Sequence, residues 1–180
     1  MIIDAAYEVA AETGAENINA RTVAGKLNCS TQPVMYYFST IEELKKAVYA
    51  KADCYHSECL MDIKNSQDGV MLGIGLNYIR FAFKEPHLFR FLFQSNFFTG
   101  TTLLEMADAE ELMPVISAMQ GEIGGSIKQV KEIFLTVFLF AHGYASIIAN
   151  NSLAYDEEQI KTHLKRAYNG AILDGQGETA

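Results

Sequence analysis

Thr31, Gln32 and Pro33, followed one helical turn later by Tyr36 and Tyr37, are the residues of this chain whose types and spacing point most directly to a chemistry. On a short helix they share one end and one side, which is how a recognition helix meets base edges in the major groove of duplex DNA. Gln32 suits adenine, read through N6 and N7, while Pro33 or the methyl of Thr31 suits a thymine methyl. One helix earlier, Arg21 is placed for a phosphate or a guanine edge, and Asn19 for a phosphate beside the helix N-terminus. Tyr36, Tyr37, Ser39, Thr40 and Lys45 are further backbone candidates. From residue 17 to 40 there are two basic residues, Arg21 and Lys26, and no acidic one, so a chain of net charge −8 keeps a local +2 here. That total excludes a general polyanion-coating protein, whose surface would be basic throughout. With so few cations per head, two heads on a near-palindromic site are needed for useful affinity.

A second group is apolar. Tyr78, Phe81, Phe89, Phe93, Phe97, Met106, Met113, Phe134 and Phe138 supply more aromatic and thioether surface than a small helical domain requires, and such side chains line adaptable ligand pockets. Taken singly, each is better explained as core. His142, on an otherwise apolar face, is a candidate hydrogen-bonder to a ligand, with core or interface histidine as the plainer role. Cys54, His56 and Cys59 have a metal-like spacing, but on a helix their side chains diverge and no metal site is expected. No glycine-rich phosphate loop, HExxH or GxSxG motif occurs, and Ser146 four residues after His142 is a pairing any helix can show, so no enzyme is expected and no cofactor. Three cysteines and no signal peptide fit free thiols in the cytoplasm.

Elements that position these residues follow from periodicity. The chain has 180 residues, 49% of them hydrophobic, with three prolines and apolar residues at helical spacing, which reads as all-α. A first helix spans about 2–13 and ends at Gly14; Asn19 caps a second with Val23, Ala24 and Leu27 inward; Ser30 caps a third, with Pro33 in its first turn and Val34 and Phe38 inward. Thr40 to Glu43 is a capping box opening a long fourth helix whose buried stripe is Leu44, Ala47, Val48 and Tyr55. Beyond Asn65 about five more helices follow: one closed by Glu85-Pro86, one from Pro86 to about Phe97, an irregular stretch from Thr102 to Gln120 broken at Pro114, and, after a loop over 121–125, two opened by the caps Ser126 to Gln129 and Asp156 to Gln159. The segment 133–149 lacks charge, but its Thr136, His142, Gly143 and Ser146 make it a bundle helix rather than a membrane span. It is apolar nearly all round, so one face must meet something beyond its own core; pairing of about 127–149 and 157–169 with a two-fold mate would bury it.

The residues Ile3 to Ala6, Gly14, Val23-Ala24, Leu27, Ser30 to Phe38 and Glu42 to Leu44 together resemble the N-terminal domain of TetR-family transcriptional regulators over about the first 50 residues. Phe138 to Ala145, with its His-Gly pair, is similar to the penultimate helix of one branch. The resemblance implies a homodimer with two helix-turn-helix heads, a double-stranded DNA operator as partner, and a helical domain that binds a small effector and alters the spacing of the heads. It departs at Ile41 and Met35, where such regulators usually carry Lys and Tyr, which weakens the expected grip on the DNA backbone. The expected division is a DNA-binding domain over 1–48, a ligand-binding and dimerisation domain over 49–174 joined by the fourth helix, and a frayed tail over 175–180. A repressor is implied; the alternative is a helical ligand-binding or protein-interaction domain that has lost sequence-specific DNA binding.

Overall fold

The computed structural model describes residues 1–63, 69–95, 107–151 and 153–177, and these are helical with no strand. The helices are α1 (Ile2–Thr13), α2 (Ala20–Lys26), α3 (Gln32–Tyr37), α4 (Ile41–Met61), α5 (Val70–Lys84), α6 (Pro86–Phe93), α7 (Met113–Ile123), α8 (Ile127–Asn150) and α9 (Glu157–Gly177), with short 3-10 turns at Ala15–Asn17 and Glu110–Leu112. The chain divides into two compact units, Met1–Glu58 with Lys84–Thr99, and Cys59–Phe83 with Gly100–Ala180.

In the first unit, Ala5, Ala6, Val9 and Ala10 of α1 pack with Ile18, Val23, Ala24 and Val34, all buried. Every fourth residue of α4, namely Leu44, Val48, Ala52 and His56, is turned inward. That spacing keeps a single face inward along α4, so Tyr55, expected in the stripe, lies at the surface, edge-on to Tyr7 at 6.4 Å. The unit is completed by α6, whose Leu88, Phe89, Phe91 and Leu92 are buried and which packs on α1. Phe89 and Phe93 therefore lie with the head helices. Phe93 stacks edge-on against His56 at 5.0 Å, and the Tyr49 hydroxyl donates to the Leu92 carbonyl at 3.1 Å.

The second unit packs α5, α7, α8 and α9 around Leu72, Ile79, Ile116, Met119, Val130, Val137, Ile160 and Leu164. Gly75 lets α5 approach α9 closely: a Cβ there would stand 2.8 Å from Leu164 Cδ2. α8 and α9 run antiparallel, since Gln129 Nε2 donates to the Gly175 carbonyl at 3.2 Å while Tyr144 meets His163 at 3.3 Å. α8 is, among the described residues, the one helix long and apolar enough to cross a membrane, and it buries Val130, Phe134, Val137, Ala141 and Ala145 inside the unit.

Three boundaries differ from expectation. Pro114 sits in the first turn of α7, where its missing N–H costs nothing, and the helix runs through Gly121 to Ile123 before Gly124 ends it at φ 73°. α6 stops at Phe93 with Gln94 capping it, short of the expected end at Phe97. α9 continues past Asp174 to Gly177, held by the Gln129 contact, so helix replaces the start of the expected tail.

Candidate nucleic-acid interface

Local chemistry sets the second helix. Asn19 is extended at φ −150°, and its Oδ1 accepts from the N–H groups of Arg21 and Thr22, both at 3.0 Å. Thr22 Oγ1 accepts in return from the Asn19 N–H at 3.1 Å, and Asn19 Nδ2 donates to Asn17 at 3.2 Å. The Asn19 side chain is thus engaged in holding the helix entry, whatever it also touches outside.

The turn between α2 and α3 is made by Asn28 at φ 49°, a left-handed conformation that Asn tolerates, and the Cys29 N–H closes back on the Ala24 carbonyl at 3.0 Å. Helix α3 then begins at Gln32 with Thr31 as its cap residue and Pro33 in its first turn. Ser30 is not the cap, and no side chain caps this helix; the backbone of Thr31 is already helical. A six-residue helix is marginal alone, and the fully buried Val34 anchors it to the unit.

That single anchor leaves the rest outward. Thr31, Gln32, Pro33 and Met35 are exposed, and Tyr36 and Tyr37 are 83% and 71% exposed, with their rings edge-to-face at 5.4 Å. Pro33 and Tyr37 also border an apolar concavity with Ile2, Ile3, Leu27 and Phe38, so each has one side against the head. Thr40 Oγ1 accepts from the Glu43 N–H at 3.1 Å, and Glu43 Oε2 accepts from the Ser39 N–H at 3.0 Å, a capping exchange that fixes the start of α4.

Charge is distributed otherwise than the sequence count implies. Lys26 reaches back to α1, with Nζ 2.7 Å from Glu12 and 3.7 Å from Glu8, and the hydrogen bond to Glu12 holds its ammonium above the usual lysine range. Arg21, also exposed, is left as the cation of this stretch with no ion-pair partner among the described residues. Lys45 is half-buried and lines a concavity with His87 and Arg90 of α6, one that none of the α3 residues borders.

In the second unit, four of the expected ligand-side residues come together. The Tyr78 hydroxyl is 2.9 Å from His142 Nδ1, Phe138 lies 5.7 Å from Tyr78 and 5.9 Å from His142, and Phe134 stacks on Phe138 at 6.2 Å. Ser146 Oγ meets His142 Nε2 at 3.4 Å. Burial pushes the Tyr78 phenol up and the His142 imidazole down, so both groups are neutral near pH 7. Phe81 is buried on α5, Met113 opens α7, and Phe89 and Phe93 belong to the other unit. Phe97 and Met106 lie outside the described residues.

Sequence reasoning missed a polar link in this unit. Asn77, buried on α5, donates to the carbonyls of Leu60 and Asp62 at 3.1 and 3.3 Å and accepts from Arg80 at 2.7 Å. Arg80 grips Glu157 with two nitrogens, at 2.8 and 3.2 Å. Partners 77 residues apart leave no local signal.

No protein-family model matches the chain, and no curated protein matches it. Among solved structures it is similar to the crystal structure of a TetR transcriptional regulator from Rhodococcus sp. RHA1, with a TM-score of 0.54, 16% identity, and coverage of 96% of this chain and 95% of that one. The chain has the fold of a TetR regulator. The sequence resemblance covered α1–α3, the start of α4 and one short stretch of α8, whereas the structural likeness covers 96% of the chain.

Proposed function

We propose that the protein is a DNA-binding transcriptional regulator that acts as a homodimer and responds to a small, partly apolar effector. The observation that carries this is α3: a helix with one buried residue, presenting Thr31, Gln32 and Tyr36 to solvent, on a TetR-type fold. Gln32 reads a base edge, Thr31 and Pro33 touch thymine methyls, and Arg21, Tyr36, Tyr37 and Thr40 meet the DNA backbone. Asn19 acts chiefly by holding Arg21 in place. The head, residues 1–48 braced by α6, reads the operator, and the second unit serves pairing and effector binding.

Pairing uses the outer side of α8 and α9, where Leu139 and Ile147 are 48% and 55% exposed and Gly143 offers a close approach. Two such surfaces facing each other form a four-helix bundle. Tyr78, Phe138 and His142 receive the effector, the histidine supplying the polar contact. Repression is the simplest output, because a dimer seated on an operator blocks what lies across it.

Selection of bound duplexes from a randomised pool tests the proposal. A near-palindromic site should emerge, with affinity falling as salt rises. Uniform retention of all sequences supports the rival reading, a helical interaction domain without sequence preference, which draws its support from Lys26 being tied to Glu12 and from Ile41 and Met35.

A further inference from the structure

We infer that Glu157, Arg80 and Asn77 form a polar relay by which the start of α9 controls how firmly the end of α4 is held. The inference rests on the regulator reading above and adds to it a means of regulation. α4 starts shortly after the recognition helix, and its last residues, Cys59 to Met61, belong to the second unit, so whatever holds them bears on the head.

A helix end leaves carbonyls without intrahelical partners, and the usual remedies are a following glycine or a basic side chain in the last turn. α4 has neither, since its last turn holds no basic residue and the next glycine in the chain is Gly69. The Asn77 amide serves instead, from α5. Its Nδ2 donates to the Leu60 carbonyl at 3.1 Å and to the Asp62 carbonyl at 3.3 Å. Asn77 is buried, so breaking these bonds leaves polar atoms away from water.

An amide can do this in only one of its two orientations. Turned over, Asn77 would set its oxygen against two carbonyl oxygens. Arg80 enforces the productive orientation: its Nη1 donates to Asn77 Oδ1 at 2.7 Å, and a guanidinium has only donors to offer. Its other two nitrogens, Nε and Nη2, donate to Glu157 Oε2 and Oε1 at 3.2 and 2.8 Å, so the fork is held by the first residue of α9. Tyr155 braces the carboxylate, its hydroxyl donating to Glu157 Oε2 at 3.2 Å while its ring stacks on Phe83 at 4.5 Å. The Arg80 and Glu157 side chains are 34% and 44% exposed, so the ion pair adds little stability of its own; what it contributes is direction.

Hydrogen-deuterium exchange of the full chain, read over Glu58 to Met61, tests the relay. Glu157→Ala, a surface change, should speed exchange there tenfold or more while exchange in α1 stays as in the unaltered chain. Arg80→Lys, which keeps the charge but loses the fork that reaches both partners, should do the same, and so should Asn77→Ala. Because the three residues act in series, Asn77→Ala combined with Glu157→Ala should exchange no faster than Asn77→Ala alone. In a parallel arm, the affinity of Glu157→Ala for duplexes selected by the unaltered chain should fall fivefold or more. Unaltered exchange over Glu58 to Met61 in Glu157→Ala, or additive effects in the double variant, would overturn the relay. Unchanged duplex affinity despite faster exchange would overturn its regulatory role. If the unaltered chain selects no duplex, the regulator reading fails, and the exchange arm still decides the relay.

Discussion

Helices α3 and α8 both leave large side chains in solvent, and they do so in opposite ways. The exposed aromatics of α3 are tyrosines, neighbours of Thr31 and Gln32, on a helix of six residues held by Val34. Two large side chains that α8 exposes in its second half, Leu139 and Ile147, carry no polar atom beyond the backbone and sit on a helix of 24 residues that buries Val130, Val137, Ala141 and Ala145 in its unit. A surface with hydroxyls and an amide fits a hydrated, polar groove; a surface of branched aliphatics fits only another apolar surface. The difference teaches that exposure alone says little, and that the polar content of the exposed side chains decides which partner each face can take.

The sharpest way to break this contrast is to make α8 polar. Leu139→Asp with Ile147→Asp should leave the fold intact, since both residues are at the surface, but weaken self-association by a hundredfold or more; burying two such side chains on each copy is worth about 1.5–3 kcal/mol apiece. Sedimentation should then report single chains for the variant and pairs for the unaltered protein at the same concentration, and operator affinity should fall with it. An unchanged mass would move the pairing surface elsewhere.

Acid separates the units by degree. Burial pulls the His56 imidazole in the head down from 6.5 to about 4, whereas His142 in the second unit is only lowered. The unfolded chain binds the His56 proton below about pH 6.5 and the folded one does so only near 4, so its stabilisation is complete above 6.5 and is lost as pH falls between those values. About 3 kcal/mol is at stake, from a shift of roughly two and a half pH units. Denaturant unfolding across pH 4–7 should show this slope, and His56→Gln should flatten it relative to the unaltered protein.

On α3, Gln32→Ala should reduce discrimination at one base position by about 1–3 kcal/mol while leaving the fold in place. The readout is a selection profile from a random pool, and an unaltered profile would remove Gln32 from base reading. Smaller again is the effect of Asn19→Ala, which deletes the acceptor for two backbone N–H groups and should cost about 1 kcal/mol of stability, read as a modest fall in melting temperature.

What was legible in the sequence was local. The caps at Asn19, Ser126 with Gln129, and Asp156 with Gln159 all formed as the spacing requires, because cap and capped N–H lie within three residues of each other. Val34 and the α2 core were legible for the same reason, as one face of a short periodic run. What was not legible depends on distant partners. Lys26 counted as a groove cation until Glu12, on another helix, was seen to hold it. Aromatic content placed Phe89 and Phe93 with the ligand-side residues, yet α6 packs on α1, which composition cannot reveal. Pro114 looked like a break because a proline's effect depends on whether it falls in the first turn or later, and that turned on where α7 starts.

Photo-cross-linking tests the central contrast most directly. A photoreactive side chain in place of Tyr36 and, in a second protein, in place of Leu139 would be irradiated with the selected duplex. The account predicts that position 36 labels DNA at two symmetric sites about one helical turn apart, and that position 139 labels a second copy of the chain. Labelling of DNA from position 139, or of protein alone from position 36, would contradict it.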